Sequence, residues 1–245
     1  MLYTIIKCSR CILCIAFILG FPMAWRCHGA DNFELLRNLK INQIITSPEV
    51  YNAMRTVDRQ YYVSQAPYRD EPQAIGYGAT ISAPHMHAYA LELLKEHLKN
   101  GERALDVGSG SGYLTACMAF MVGENGKAVG VDHVHELIEI AQANIKKGNP
   151  ELLKRIILER GDGRFGAKNY APYNAIHVGA ASPEIPKALI DQLKPGGRLV
   201  VPVGPPKDTQ TLTVVDKNLE GVTSFVKLMD VVYVPLTDEK TQWTK

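Results

Sequence analysis

Three glycines and two aspartates are spaced to bind a small polar ligand. Gly108, Gly110 and Gly112 follow an apolar strand-like run, Ala104-Leu105-Asp106-Val107, and precede a helix-forming stretch that starts at Tyr113. Glycine there removes side chains that would hold a ligand off the backbone, and backbone N–H groups and a helix N-terminus are expected to face the cavity. Asp106 stands two residues before the first glycine. Asp132 ends a second strand, Ala128-Val129-Gly130-Val131-Asp132, 20 residues after Gly112, where a carboxylate meets a ribose diol in nucleotide-binding sheets. Two strand-end carboxylates around a glycine turn point to an adenosine site. A ligand-free strand-to-helix turn is the plainer alternative.

The spacing selects among adenosine ligands. A dinucleotide fingerprint needs G-x-G-x-x-G, but Tyr113 stands where its last glycine belongs, and no G-x-x-x-x-G-K-[ST] loop occurs. Asp106 would repel a pyrophosphate and attract an ammonium group. S-adenosylmethionine meets that requirement. No metal site is expected: His85 and His87 are two apart and point in different directions on a helix. Cys8, Cys11 and Cys14 sit in an apolar stretch without a fourth ligand.

The elements that must position these residues alternate. Asp31 and Glu34 form a capping box for a helix whose apolar face is Phe33, Leu36 and Leu39; Ser47-Pro48 open a second helix with Val50, Met54 and Val57 inward. Residues 61–84, rich in Pro, Gly and aromatics, form a long segment suited to binding, with Tyr61, Tyr62, Tyr68 and Tyr77 either facing a ligand or packed. From His85 the pattern reads helix, strand 103–107, helix 112–122, strand 128–132, helix 135–147, strands 156–160 and 173–178, helix 186–193, then strand 198–203 after the turn Lys194-Pro195-Gly196-Gly197. Two last strands, 211–216 and 225–234, make an antiparallel edge pair. The predicted fold is α/β and Rossmann-like, with a mostly parallel seven-stranded sheet and an antiparallel C-terminal pair. Ligands of such sheets bind at the carboxyl ends of the strands, where Asp106, Asp132, Asp162 and Gly179-Ala180-Ala181 fall.

The 245 residues are 46% apolar with a formal charge of +2, which suits one domain and offers no basic stripe for nucleic acid. Residues 1–22 differ: Lys7 and Arg10 precede an uncharged run from Cys11 to Trp25. The run is short for a bilayer span and within the range of a signal h-region, but lacks a small-x-small cleavage site. A membrane association is expected only if this leader is retained. Whether Cys27 and Cys117 pair is left open. With no heptad and no evident apolar edge, the chain is expected to be a monomer.

Two further stretches, Ala79-Thr80-Ile81-Ser82-Ala83-Pro84-His85-Met86-His87-Ala88 and Ala171-Pro172-Tyr173-Asn174-Ala175-Ile176-His177-Val178-Gly179-Ala180-Ala181, complete a pattern. With residues 105–114 and Val234-Pro235-Leu236-Thr237-Asp238, they closely resemble the protein-L-isoaspartate (D-aspartate) O-methyltransferase family over residues 23–245. The resemblance implies the class I S-adenosylmethionine-dependent methyltransferase fold and a cytosolic repair enzyme that uses S-adenosylmethionine to methylate the α-carboxylate of L-isoaspartyl residues, and more weakly the side-chain carboxylate of D-aspartyl residues, in damaged proteins and peptides. The ester then collapses to a succinimide that partly reopens to aspartate. It further implies Ser82 as the active-site serine, and Ala79, Thr80, Ile81 and His87 around it on the cofactor side. Asp106, Gly108, Ser109 and Gly110 become the methionine-binding turn, Asp132 and His133 the ribose end, Asp162 and Gly163 the adenine neighbours, and Thr237 and Gln242 C-terminal site residues.

A carboxylate is already ionised at neutral pH, so such a transfer needs no general base. Orientation and exclusion of water carry the catalysis, and Ser82 would position the carboxylate rather than attack. By residue type alone Ser82 is a helix N-cap, and Asp162-Gly163-Arg164 is equally a strand-end turn. A methyltransferase for a small molecule or RNA, and a binding protein without turnover, are the other functions this fold could serve. A secreted or membrane-tethered form is the alternative to the cytosol.

Overall fold

The computed structural model describes residues 27–206 and 208–242, so the leader at 1–22 and Cys8, Cys11 and Cys14 lie outside the described residues. Helix α1 (Asn32–Ile41) starts where Asp31 accepts the Glu34 N–H, while Glu34 reaches back to the Ala30 N–H at 2.8 Å. Its buried residues are Leu35, Leu36 and Leu39, and Phe33 is 64% exposed. Leu36 and Leu39 are buried as expected, but Leu35 rather than Phe33 completes the stripe, and Phe33 turns to solvent. Helix α2 (Pro48–Thr56) is capped by Ser47 and buries Val50, Ala53 and Met54.

The long segment is not a plain loop. It holds a helical turn (Arg59–Tyr61) and a hairpin of β1 (Gln73–Gly76) and β2 (Ala79–Ile81), closed through Tyr77 and Gly78, both with positive φ. Helix α3 (Pro84–Leu94) follows; its N-cap is Ala83, without a side-chain cap, so Ser82 does not cap it.

Then come β3 (Arg103–Val107), α4 (Tyr113–Met121), β4 (Lys127–Asp132), α5 (His135–Gly148), β5 (Ile156–Arg160), β6 (Tyr173–Val178), α6 (Lys187–Gln192), β7 (Leu193–Val203), β8 (Gln210–Lys217), β9 (Thr223–Val231) and a short α7 (Glu239–Gln242). The seven-stranded sheet has the order β5-β4-β3-β6-β7-β8-β9. Its first five strands are parallel, and β8 is antiparallel to both neighbours. Strand β7 starts earlier than expected: Lys194 to Gly197 lie within it, at a register irregularity against β6. Alternation divides the core. Leu105, Val107, Val129, Val131, Ile176 and Val178 face one side, whereas Ala104, Ala128 and Ala175 face α4 and the N-terminal helices on the other. The chain order reverses between β3 and β6, so the crevice at their carboxyl ends is where a ligand belongs.

Edge strand β9 exposes Phe225, Val226 and Leu228, an apolar edge the sequence did not suggest. A register shift leaves Leu228 unpaired against β8, a bulge of the kind that discourages edge-to-edge association. Among the described residues no helix is long and apolar enough to cross a membrane.

Candidate active site

The glycine turn makes its own hydrogen bonds. Gly108 and Ser109 both donate their N–H to the Val131 carbonyl, at 2.8 and 3.0 Å, and Gly112 donates to Ser109. The Gly110 N–H goes to Asp132 Oδ2 at 3.0 Å. The expected row of N–H groups facing the cavity is therefore largely consumed inside the protein. A phosphate would find few donors here, and a ligand without phosphate loses nothing. The glycines are still required: φ is +77, +49 and +82 at 108, 110 and 112, and a Cβ at Gly112 would meet that of Ala141 on α5 at 3.0 Å.

Asp106 departs most from expectation. Parallel pairing sets it opposite His177, and the face it shares with Ala104 lies under α4. His177 Nδ1 donates to its Oδ1 at 2.8 Å, and the Thr115 hydroxyl donates to Oδ2 at 2.6 Å. The carboxylate is 2% exposed and does not line either cleft described below. Its charge is held by its neighbours rather than offered to a ligand ammonium. Gly130, in register with Asp106, leaves the room this needs: a Cβ there would meet Thr115 Oγ1 and Ser109 Cβ at 3.0 Å.

Asp132 does face the crevice. Its two oxygens accept the Gly110 and Val134 N–H groups, which leaves each oxygen a lone pair for a further donor. Burial raises its pKa, partly offset by those two bonds. A narrow cleft of about 50 Å³ is lined by Asp132, His133, Gly108, Gly110, Ala79, Thr80, Gly163, Thr237 and Gln242. Gln242 closes it, accepting from His133 Nε2 at 2.9 Å and donating to the Tyr77 carbonyl at 3.2 Å. The orphaned Ser109 hydroxyl is buried beside the turn. An acceptor carboxylate and small residues fit an adenosyl ligand, whereas Ser109 lines neither cleft.

Ser82, half-buried, lines a second and larger groove of about 1010 Å³ with Thr80, His85, Asp70, Tyr233 and Met229. Tyr233, whose pKa burial raises and the neighbouring Ser82 side chain partly lowers, stands beside it, and the Ser82 carbonyl accepts from Arg59 Nη2 at 2.7 Å. The groove and the narrow cleft share Thr80, Gly179, Val234 and Pro235 as walls, so they meet next to Ser82. The four tyrosines of the long segment line neither. Tyr62 is buried against Asn149 and Tyr68 bonds Asp58. Within Gly179-Ala180-Ala181, the Ala181 backbone is taken by hydrogen bonds with Val234 and Leu236, while Gly179 lines both clefts and Ala180 the narrow one.

Of the other expected residues, Ile81 is in the core, and Asp162 is paired with Arg164 through contacts of 2.6–3.0 Å, outside both clefts. His87 is buried, accepts from Arg59 Nη1 at 3.2 Å, and burial followed by the Arg59 charge holds its pKa well below the ordinary value. Sequence reasoning missed Arg59, Asp70 and Tyr233. Asp70 sits in a charged run that looks solvated, yet its carboxylate is buried and accepts from His85 Nδ1 at 2.7 Å and the Cys27 N–H at 3.1 Å. No local signal marked any of the three.

Comparison with known proteins agrees with this arrangement. A sequence model of the family described as Protein-L-isoaspartate(D-aspartate) O-methyltransferase matches residues 30–241. The chain is 51% identical over 225 residues to protein-L-isoaspartate O-methyltransferase from Caenorhabditis elegans, covering 91% of this chain and 100% of the relative. It is 53% identical over 216 residues to protein-L-isoaspartate O-methyltransferase 1 from Arabidopsis thaliana, covering 86% and 93%. A Plasmodium falciparum crystal structure described as this O-methyltransferase in complex with S-adenosyl-L-homocysteine superposes with a TM-score of 0.78 at 39% identity, over 85% of this chain and 99% of that one. With two clefts meeting at Ser82 and relatives matched over nearly their whole length, the chain belongs to the protein-L-isoaspartate(D-aspartate) O-methyltransferase family.

Proposed function

We propose that this protein transfers a methyl group from S-adenosylmethionine to the free α-carboxylate of L-isoaspartyl residues, and to the side-chain carboxylate of D-aspartyl residues, in damaged proteins and peptides. The observation that carries the reading is the junction of the narrow cleft with the large groove at Thr80, Gly179, Val234 and Pro235, beside the Ser82 hydroxyl. When bound, S-adenosylmethionine supplies an electrophilic methyl group. Asp132 would hold the ribose diol, with Ala79, Thr80, His133, Gly163, Thr237 and Gln242 enclosing the rest. Ser82 would donate its hydrogen bond to the arriving carboxylate, with Tyr233 steadying that hydroxyl. The carboxylate is ionised without help, so the protein's task is to orient it and keep water out. The buried Thr115–Asp106–His177 network would keep the glycine turn and the end of β6 at fixed separation, with no direct ligand contact.

As partners we infer isoaspartyl proteins and peptides, with no nucleic acid; the formal charge of +2 supports the exclusion. We infer one methyltransferase domain over residues 23–245, acting as a monomer in the cytosol, where this methyl donor is made. The bulged β9 supports the monomer.

The test is transfer of labelled methyl to an isoaspartyl peptide and its normal aspartyl twin. Label on the isoaspartyl peptide alone supports the reading. With Ser82→Ala, kcat/KM is expected to fall about 10- to 100-fold, the range for loss of one positioning hydrogen bond, while S-adenosylhomocysteine affinity stays within about twofold. Label on neither peptide despite measurable cofactor binding would sink it.

A further inference from the structure

Arg59 is 0% exposed, the largest side chain so buried, and it lies directly behind Ser82. Its Nη2 donates to the Ser82 carbonyl at 2.7 Å, its Nη1 to His87 Nδ1 at 3.2 Å, and its guanidinium lies 5.4 Å from the centroid of the Tyr113 ring. Its Nε has no partner. Among the described residues no carboxylate lies within ion-pair distance of it. Asp70, whose field it feels, spends its oxygens on His85 and the Cys27 N–H. The other groups around it are neutral. Burial lowers the His87 pKa and raises those of Tyr113 and Cys117. Burial also lowers the Arg59 pKa, to about 10, so it stays charged at neutral pH.

A guanidinium with a spare donor and no carboxylate in contact is a costly thing to bury. It is also a fixed positive field in a poorly screening interior, directed at the peptide unit that carries Ser82. The N-terminus of the 11-residue α3 opens at Ala83 and adds a field of the same sign. A carboxylate seated at Ser82 would provide the missing negative charge.

We propose that Arg59 is a positioning residue for the substrate carboxylate, clasping the Ser82 carbonyl and supplying a positive field that no contacting carboxylate cancels where the isoaspartyl anion seats. The inference rests on that anion binding at Ser82. The attraction exists for the anionic substrate and disappears once the carboxylate becomes a neutral ester, so Arg59 favours capture of substrate over retention of product. Its effect therefore falls on KM and on charge discrimination more than on kcat.

The experiment compares binding of an isoaspartyl peptide with that of its isoasparaginyl twin, which has a neutral carboxamide in the same place, in the presence of S-adenosylhomocysteine. The wild type is expected to prefer the anion at least tenfold. Arg59→Met is expected to compress that preference below threefold and to leave the S-adenosylhomocysteine Kd within threefold. Arg59→Lys retains the charge and is expected to retain the preference while losing the clasp and part of kcat. Should Arg59→Met not fold, Arg59→Gln, uncharged but able to bond the Ser82 carbonyl, carries the same comparison. A merely structural role would weaken both peptides equally. An unchanged preference in the uncharged variants, an equal loss in Arg59→Lys, or no preference in the wild type overturns the proposal. A wild type that methylates no isoaspartyl peptide removes instead the functional reading beneath it.

Discussion

Asp106 separates two accounts of the site, and substitution there tests which is right. If its carboxylate met the ligand's ammonium directly, Asp106→Asn would chiefly weaken cofactor binding. In the structure both oxygens are consumed by His177 Nδ1 at 2.8 Å and the Thr115 hydroxyl at 2.6 Å. Asparagine can keep both bonds. Its oxygen accepts from Thr115, and its NH2 donates to His177 Nδ1 once the imidazole moves its proton to Nε2. What is lost is the charge assistance, about 1–2 kcal/mol over the two bonds. Alanine leaves two buried donors without an acceptor, at about 1–3 kcal/mol each plus a small cavity, so about 3–6 kcal/mol in all. The assay is urea unfolding, paired with calorimetric titration of S-adenosylhomocysteine. The expected order is wild type, Asp106→Asn, then Asp106→Ala in stability, with Asp106→Asn weakening the cofactor by less than about tenfold, the equivalent of 1.4 kcal/mol. Asp106→Ala unfolding within 1 kcal/mol of the wild type would refute the buried-network argument. So would an Asp106→Asn protein of wild-type stability that binds no cofactor.

Three further outcomes follow from particular contacts. Gln242→Ala removes the bridge between His133 and Tyr77 over the narrow cleft, and is expected to speed S-adenosylhomocysteine dissociation several-fold in stopped-flow measurements; an unchanged rate would mean the bridge does not close the cleft. Glu92 accepts from the N–H and hydroxyl groups of Thr46 and Ser47, all at 2.8 Å. Burial alone would raise its pKa, but those bonds outweigh it and leave the value below the ordinary one. The folded protein thus holds this site deprotonated more readily than the unfolded chain does, so its stabilisation is present above the ordinary glutamate pKa and lost as pH falls through the lowered one. Glu92→Gln is expected to cost about 2 kcal/mol near pH 7 and to flatten the acid limb of a stability–pH curve; an unaltered limb would refute the assignment. Cys27 and Cys117 are free and buried, and burial raises both thiol pKa values, that of Cys27 to about 11. Neither is expected to react with iodoacetamide at pH 8 until denaturant is added, as mass spectrometry would register.

What the sequence determined by itself is local. Short apolar runs placed β3, β5 and β6 to the residue, because such a run is a property of consecutive positions. Asp31 and Ser47 declared helix starts because a cap bonds within three residues. Gly108, Gly110 and Gly112 marked the turn after β3 because their backbone angles leave little choice of residue. The tertiary structure decided which charges are spent and which are offered. Asp106 meets His177 only when strands 71 residues apart in sequence lie side by side. Asp132, an equally ordinary strand-end carboxylate, keeps its place on the cleft. Arg59 reads as one more charged residue in a polar segment, and only the packing of α2, α3 and α4 around it removes it from water behind Ser82. Gln242 reaches the narrow cleft by folding back 165 residues onto Tyr77. Contacts of that range depend on the whole chain's register, to which no short stretch of residues gives access.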